Sequence, residues 1–389
     1  MIERTLSKKM DALAHKFQVI TLTGPRQSGK TTLVKSAFPL LPYASLEEPD
    51  IRQVALSDQR GFLANFRNGA ILDEVQNTPE LFSYIQSIVD NDRNVQFILT
   101  GSSNFLLMEK ISQTLAGRTA VLHLLPFSCP ELENGGHVFE QYETLIYKGQ
   151  YPRIYDRDIA PTDFYPAYIQ TYVEKDVRMI KNIGDINAFI QFIQLCAGRT
   201  GQLLNYTSLA NDAGISPNTA KAWISILEAS YIVYRLHPYH KNFTKRLVKS
   251  PKLYFYDTGL ACSLLGLRDE NQVNVHFMKG ALFENFVINE FIKHDLHRGE
   301  RRYPYFWQDS RGREIDCLLT DGEAITPVEI KAGKTISNSY FNNLKYWRQL
   351  AGMPDDHGYV VYGGERSLKT ANGSFVSWKQ LDKIQTGSI

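Results

Sequence analysis

Cysteine is scarce in this sequence, and no two cysteines form a CxxC pair. The four lie far apart, at Cys129, Cys196, Cys262 and Cys317. This spacing excludes a zinc site built from paired cysteines and fits a reducing compartment, so we expect a cytoplasmic protein. Long apolar runs are also lacking, because none approaches the ~18 residues of a membrane span. The charged N-terminus MIERTLSKKMDALAHKF does not resemble a signal peptide.

An excess of charge of one sign is missing as well. The 43 Lys and Arg against 41 Asp and Glu give a net charge of +2. A nucleic-acid-binding surface would therefore have to be local. A length of 389 residues, at roughly 100–200 residues per domain, predicts two or three domains.

Apolar segments alternate with helical patterns between residues 18 and 125. The expected strands are VITLTG, GAILDEV, VQFILTGSS and TAVLHLLPFS. Buried strands separated by helices indicate a parallel α/β sheet. Residues 163–232 have helical patterns, and the segment from Gly280 onward combines helices with short strands. The whole chain is therefore predicted to be α/β.

The segment GPRQSGKTT matches the phosphate-loop pattern G-x-x-x-x-G-K-[ST]. Its glycines allow backbone N–H groups to approach phosphate, and the next helix points its N-terminus at the ligand. The alternative is a glycine turn that binds no phosphate. It is disfavoured because the complete motif lies between a predicted strand and a predicted helix. We expect Lys30 to reach the β- and γ-phosphates of ATP and Thr31 to bind Mg²⁺. The predicted nucleotide-binding residues are Gly24, Pro25, Arg26, Gln27, Ser28, Gly29, Lys30, Thr31, Thr32 and Ser103.

An acidic pair follows the next buried strand, in GAILDEVQ. Ligands of parallel α/β sheets bind at the carboxyl ends of the strands, where this pair is expected. Asp73 is predicted to hold Mg²⁺, and Glu74 to orient or deprotonate the attacking water.

Two further positions carry candidate phosphate contacts. The segment ILTGSSN contains Ser102, Ser103 and Asn104, which either sense the γ-phosphate or cap a helix. Arg118, in LAGRT, is a candidate catalytic arginine acting in cis or in trans, with a surface charge as the alternative.

Five segments in this order, GPRQSGKTT, ILDEVQ, ILTGSSN, LAGR and YVEKDV, resemble a family of bacterial and archaeal AAA-type ATPases. The C-terminal half of that family is known only as a domain of unknown function. GALFENFVINEF, FWQDSRGREID and VEIKAGK fit the family too. The resemblance implies an AAA-like P-loop domain at residues 1–160, a helical and winged-helix region at 161–270, and a nuclease-like domain at 271–389.

In the middle region, the pattern of apolar and turn residues in YTSLANDAGISPNTAKAWISILEASYIV is typical of a helix-turn-helix. Gly214 suits the turn, and Ser216 with Pro217 suits the start of the second helix. The strands YIVYRL and KLYFYD would form a wing. The loop between them carries Lys241, Lys245, Arg246 and Lys249. This region is expected either to contact a DNA backbone or to dock a protein partner or another domain.

The C-terminal region places Glu284 in a helix, Asp316 in a strand, and Glu329 and Lys331 in the strand PVEIK. An acid on a helix, then Asp, then Glu-x-Lys is the order of the PD-(D/E)xK fold, a restriction-endonuclease-like α/β domain. The three carboxylates would hold Mg²⁺ beside Lys331, and Glu314 could replace Asp316. We expect these groups to converge, with raised pKa values in the absence of metal. One alternative is that these residues are ordinary charged side chains that face solvent. The other is that the domain has this fold but serves as an inactive binding scaffold.

Together these features predict an Mg²⁺-dependent AAA-type ATPase that couples ATP binding or hydrolysis to its other modules. Two alternatives stay open. One is an ATP-gated, metal-dependent nuclease acting on DNA or RNA. The other is a nucleotide-regulated partner-binding switch with negligible turnover.

Overall fold

A computed structural model describes residues 2–102, 113–172, 185–240 and 248–386. The chain forms two compact units, and each is described by itself. The N-terminal unit consists of Met1–Phe127, Ala229–Tyr231 and Leu296–Glu300, and the second unit consists of Ser128–Glu228, Ile232–Asp295 and Arg301–Ile389. Among the described helices, none has the length and apolarity that a membrane crossing requires.

The N-terminal unit contains a five-stranded, wholly parallel sheet in the order β2-β3-β4-β1-β5. Its strands are β1 (Val19–Thr23), β2 (Tyr43–Ser45), β3 (Gly69–Asp73), β4 (Gln96–Gly101) and β5 (Thr119–His123). Its helices are α1 (Leu6–Ala14), α2 (Lys30–Ala37), α3 (Pro49–Ser57), α4 (Gln59–Ala64) and α5 (Leu81–Asn91). The parallel sheet expected from the sequence is confirmed, and β2 is an edge strand that the sequence patterns did not indicate.

Helices cover both faces of this sheet because successive strand residues point to opposite faces. Ile20 and Leu22 pack on one side with residues of α1 and α2. Phe97 and Leu99 pack on the other side with residues of α3, α4 and α5. The sheet is therefore buried on both faces.

The second unit contains an eight-stranded mixed sheet in the order β12-β13-β11-β10-β9-β8-β6-β7. Its strands are β6 (Val233–Pro238), β7 (Lys252–Phe255), β8 (Tyr305–Gln308), β9 (Glu314–Asp321), β10 (Ala324–Lys331), β11 (Tyr359–Tyr362), β12 (Leu368–Thr370) and β13 (Gly373–Ser377). The mixed α/β class of the chain is thus confirmed, with a parallel sheet at the N-terminal end and a second sheet in the C-terminal part.

Twelve helices are described from residue 128 onward. The first six are α6 (Cys129–Asn134), α7 (Tyr142–Lys148), α8 (Pro152–Asp156), α9 (Pro161–Tyr172), α10 (Ile186–Ala197) and α11 (Tyr206–Ala213). The last six are α12 (Pro217–Ala229), α13 (Thr258–Leu264), α14 (Glu270–Val275), α15 (Lys279–Leu296), α16 (Asn342–Ala351) and α17 (Asp382–Thr386). Single 3₁₀ turns occupy Val75–Asn77, Asn338–Phe341 and Trp378–Gln380. Helix α15 buries Phe283, Phe286 and Phe291, as its apolar stripe predicts.

The two strands expected to form a wing, β6 and β7, pair antiparallel with each other. Strand β6 also pairs in parallel with β8, through His237 opposite Tyr305. These strands are therefore the edge of the C-terminal sheet. The domain boundary expected at residue 271 runs through this sheet, and residues 128–160 belong to the second unit rather than to the first.

Candidate functional site

The phosphate loop follows β1, at the carboxyl edge of the parallel sheet, and two glycines give it its shape. Gly29 adopts a left-handed φ of 92° directly before α2. Gly24 has a φ of 156°, and a Cβ there would lie 2.1 Å from the carbonyl oxygen of Leu124. A side chain at Gly24 would therefore displace the backbone, and the left-handed conformation of Gly29 favours glycine.

Lys30 begins α2, and its side chain is turned back over the loop. Its Nζ donates hydrogen bonds to the carbonyl oxygens of Gly24, at 3.1 Å, and Pro25, at 2.8 Å. Lys30 is only 5% exposed. The loop thus keeps the ammonium group in the concave space where a phosphate ligand is expected.

Asp73 ends β3 and accepts hydrogen bonds from three hydroxyl groups. Its Oδ2 lies 2.7 Å from Thr31 Oγ1 and 2.8 Å from the Tyr43 hydroxyl. Its Oδ1 accepts from Thr100 Oγ1. Burial, and then the charge of Asp73, raise the pKa of Tyr43 above its usual value. The structure therefore brings together Thr31 and Asp73, the pair expected to hold Mg²⁺, and adds two hydroxyls that the sequence did not indicate.

Glu74 follows in a left-handed conformation, with a φ of 55°. Such a conformation costs free energy for a non-glycine residue and is often found at functional sites. Its Oε2 accepts hydrogen bonds from Ser102 Oγ, at 3.0 Å, and from the Gln76 amide. The carboxylate is therefore oriented by two donors. Ser103 and Asn104 lie outside the described residues.

The loop backbone is supported by Arg4, a residue that carried no sequence signal. Its guanidinium donates to the carbonyl oxygens of Ser28, at 2.8 Å, and Leu125, at 2.6 Å. It also lies over the Phe127 ring, 4.8 Å from the centroid. Arg4 is 7% exposed, so these contacts are shielded from solvent. The remaining predicted loop residues, Arg26, Gln27 and Thr32, lie on the loop or at the start of α2.

Arg118 is placed away from the phosphate loop. It directly precedes β5, whose first residue, Thr119, lies opposite Val19 at the start of β1. It is therefore at the amino edge of the sheet, whereas the loop follows the carboxyl edge. Its guanidinium pairs with the carboxylate of Asp90, at 2.6 and 2.9 Å. The structure does not bring Arg118 to the nucleotide site of its own chain, and a role in trans stays a prediction.

A second polar cluster, the C-terminal acid cluster, lies within the second unit. One carboxylate oxygen each from Glu284, Glu314 and Asp316 lies within 4.8 Å of the other two. Glu284 belongs to α15. Glu314 and Asp316 are alternate residues of β9 and therefore face the same way. The structure thus brings Glu284 and Asp316 together and adds Glu314.

Strand β10 supplies the other two predicted groups. Lys331 Nζ lies 2.9 Å from Asp316 Oδ2 and 2.6 Å from Glu329 Oε2. The backbone N–H of Ile330 also donates to Asp316 Oδ2, at 2.7 Å. Lys331 therefore links Glu329 to Asp316, and Asp316 in turn has a carboxylate oxygen within 4.8 Å of one from Glu284.

Two residues of β7 join this network without having been predicted. Lys252 Nζ lies 3.1 Å from Glu284 Oε1 and also contacts Glu314. The Tyr254 hydroxyl donates to Glu284. These residues are alternate positions of one strand. Their type and spacing are common, and only the pairing of β7 with the rest of the sheet brings them to the acids.

Burial and charge shift the pKa values of the cluster in different directions. Burial raises the pKa of Glu284 to about 7, against the opposing effect of Lys252. Burial, and then the charge of Asp316, raise the pKa of Glu329 well above its usual value. Burial alone would also raise the pKa of Asp316, but Lys331 and Lys252 hold it below its usual value. The rise in pKa that we expect in the absence of metal or Lys331 is therefore opposed at Asp316 by the two neighbouring lysines.

The helix-turn-helix pattern corresponds to α11 and α12. Gly214 ends α11 with a left-handed φ of 66°, and the Thr219 N–H donates to Ser216 Oγ at the start of α12, at 3.0 Å. Of the basic loop residues, Lys249 is exposed. The other three, Lys241, Lys245 and Arg246, lie outside the described residues.

Comparison with protein families matches residues 16–133 to an AAA domain. Residues 139–271 and 279–381 match two domains of unknown function, DUF8612 and DUF4143. The AAA match supports the P-loop ATPase class for the N-terminal part of the chain.

Similar curated proteins span bacteria and archaea. The uncharacterized protein Rv2008c of Mycobacterium tuberculosis is 26% identical over 394 residues, covering 99% of this chain and 85% of that protein. The uncharacterized protein MJ1637 of Methanocaldococcus jannaschii is 24% identical over 430 residues, covering 96% and 87%. Both similarities extend across the two units, so the combination of regions recurs in these relatives.

Solved structures resemble the chain more distantly. The Walker-type ATPase PABY2304 of Pyrococcus abyssi is 16% identical, with a TM-score of 0.46, covering 68% of this chain and 96% of that chain. The STAND protein PH0952 of Pyrococcus horikoshii is 9% identical, with a TM-score of 0.27, covering 72% and 44%. At these scores the overlaps carry no information on function.

Proposed function

We propose that the N-terminal unit binds Mg·ATP and hydrolyses it as an AAA-type ATPase, and that the chain couples this cycle to its helix-turn-helix and C-terminal regions. The observation that carries the proposal is the contact of Thr31 with Asp73 at 2.7 Å, directly beside the loop that holds Lys30. A hydroxyl and a carboxylate at this distance are the protein groups that P-loop enzymes use for magnesium.

Each residue then has a distinct role. Thr31 and Asp73 would hold Mg²⁺, which when bound neutralises charge on the β- and γ-phosphates. When ATP binds, the ammonium group of Lys30 leaves the carbonyl oxygens of the loop and contacts phosphate oxygens instead. Glu74 accepts a proton from the attacking water while Ser102 and Gln76 hold its carboxylate in place.

Exchange of Glu74 for glutamine tests these roles. Glu74→Gln keeps the size and hydrogen-bonding capacity of the side chain but removes the base. We expect ATP binding to be retained and turnover to fall by about 10²–10⁴-fold. The matched control is Glu80→Gln, an exposed glutamate of the same unit. Normal hydrolysis by Glu74→Gln would show that another group activates the water.

The C-terminal acid cluster supports a second candidate function, metal-dependent cleavage of DNA or RNA. The observation that favours it is Lys331 held between Asp316 and Glu329, at 2.9 and 2.6 Å. A lysine beside two carboxylates can stabilise the charge that develops during phosphodiester hydrolysis, and the carboxylates would hold the metal ion. The basic segment ending at Lys249 is the expected contact for the nucleic-acid backbone.

A cleavage assay with matched lysine variants tests this second function. Wild-type protein is incubated with supercoiled plasmid or single-stranded oligonucleotides in Mg²⁺ or Mn²⁺. We expect cleavage that Lys331→Met lowers by about 10²-fold or more, because the variant loses the cation at the reacting phosphate. Lys369→Met, which removes an exposed lysine of β12, should cleave normally. Absence of cleavage by the wild type, or equal cleavage by Lys331→Met, would contradict this function.

A further inference from the structure

Lys252 is a buried cation within the C-terminal acid cluster. It begins β7 and its side chain is 5% exposed. Its Nζ lies 3.1 Å from Glu284 Oε1, contacts Glu314 Oε1, and lies 5.5 Å from the centre of the Phe306 ring. The ammonium group is therefore held between two carboxylates and shielded from water.

The same two carboxylates belong to the group that could share a metal ion. Oxygens of Glu284, Glu314 and Asp316 all lie within 4.8 Å of one another. Divalent cations bind oxygen at about 2.0–2.6 Å, so ligands around one ion are separated by up to about 4–5 Å. The three oxygens therefore fit one cation, but the ammonium of Lys252 already contacts two of the three carboxylates.

A fourth buried carboxylate, that of Glu329, is linked to this group through Lys331. Glu329 is 1% exposed, and among the described residues its Oε1 has no hydrogen-bond partner. Its other oxygen contacts Lys331, which in turn contacts Asp316. A buried carboxylate oxygen without a donor is costly unless a cation or proton satisfies it.

The formal charge of the cluster indicates what Lys252 does. With every group ionised, four carboxylates (Glu284, Glu314, Asp316 and Glu329) and two lysines (Lys252 and Lys331) give −4 + 2 = −2. One divalent ion balances this charge. Replacing Lys252 by a neutral residue changes the sum to −3, which attracts a divalent ion more strongly. The lysine therefore stabilises the cluster without metal and weakens its attraction for metal.

We propose that Lys252 is a built-in counter-ion that competes with a divalent cation for Glu284 and Glu314, and so sets the metal affinity of the cluster. Metal binding requires its ammonium to leave these two carboxylates. The inference rests on the second candidate function for the location of the metal site and does not require that the cluster cleave nucleic acid.

Manganese binding without nucleotide tests the competition. We expect Lys252→Met to bind Mn²⁺ about tenfold or more tightly than the wild type, measured from the electron paramagnetic resonance signal of free Mn²⁺. Lys252→Arg, which keeps the charge, and Lys369→Met, which removes an exposed lysine, should not gain affinity. The double variant Lys252→Met/Glu284→Gln should lose the gain, which assigns the bound ion to this cluster rather than to Asp73.

Thermal unfolding gives a second readout of the same variant. All four tryptophans of the chain, Trp223, Trp307, Trp347 and Trp378, belong to the second unit, so their fluorescence follows its unfolding. In EDTA, the Lys252→Met variant should melt at a lower temperature than the wild type because Glu284 and Glu314 lack their counter-ion. Addition of Mn²⁺ should raise the Tm of the variant more than that of the wild type.

Two outcomes would overturn the proposal. One is Mn²⁺ affinity of Lys252→Met equal to or below that of the wild type. The other is a Lys252→Met protein that stays unfolded even with Mn²⁺, since the lysine would then be a structural group that a metal cannot replace. Tighter Mn²⁺ binding without any nucleic-acid cleavage would contradict the second candidate function and support the counter-ion role.

Discussion

At the scale of single residues, Glu284 shows how burial couples charge to stability. Its pKa is raised from 4.5 to about 7, first by burial. An acid with a raised pKa binds its proton more tightly in the folded state than in the unfolded state. Its contribution to stability is therefore fully present below pH 4.5 and is lost as the pH rises through about 7.

A pH series with Glu284→Gln measures this contribution. In EDTA, we expect the free energy of unfolding of the second unit to fall between about pH 4.5 and 7, with about 3 kcal/mol coming from Glu284. Glu284→Gln should flatten this part of the profile, and Glu323→Gln, at an exposed position of the same unit, should not. Urea unfolding followed by tryptophan fluorescence gives the values. An unchanged slope in Glu284→Gln would contradict the assignment.

The sequence identifies some of the site residues and misses others for a physical reason. Thr31 and Asp73 lie 42 positions apart, yet each is part of a recognisable local pattern of strand, loop and helix. Tyr43, Thr100 and Lys252 carry no such pattern. They reach the sites only through the pairing of neighbouring strands, and strand order is a long-range property that a single sequence does not reveal.

At the scale of elements, the buried strands of the N-terminal sheet were predictable because each reads as an apolar run followed by turn residues. The order of the strands in the sheet of the second unit was not predictable from the sequence. The strands β6 and β7 read as an isolated hairpin, whereas β6 also pairs with β8, whose residues lie 68 positions later in the chain (His237 opposite Tyr305). Nothing local in either strand specifies that partner, which is why the sequence suggested a separate wing.

The phosphate loop is an element supported by a residue outside its motif, Arg4. Arg4→Met removes the donors to the carbonyl oxygens of Ser28 and Leu125. Hydrogen bonds from charged groups are worth about 1.5–3 kcal/mol each, and part of this loss should fall on the loop conformation that binds phosphate. We therefore expect about tenfold weaker Mg·ATP binding by isothermal titration calorimetry.

The control for this variant is Arg93→Met, which removes an exposed arginine of the same unit. It should bind Mg·ATP as the wild type does. If Arg4→Met is folded by circular dichroism and binds with wild-type affinity, Arg4 is a packing residue and does not position the loop.

At the scale of the whole molecule, the chain combines two polar centres of different character. The N-terminal unit presents a lysine within a loop of backbone donors, which suits an anionic phosphate ligand. The second unit presents carboxylates with a formal excess of negative charge, which suits a cation. The residues of the two centres belong to different units of the chain.

We propose that the N-terminal unit hydrolyses Mg·ATP with Lys30 at its phosphate loop. Steady-state ATP hydrolysis by the full chain, with Mg²⁺ or with EDTA, tests it most directly in the wild type, in Lys30→Ala and in Lys16→Ala, an exposed lysine of the same unit. We predict turnover by the wild type and Lys16→Ala that disappears in EDTA and falls by about 10²-fold or more in Lys30→Ala. Undetectable hydrolysis by the wild type, or equal rates in Lys30→Ala, would contradict the account.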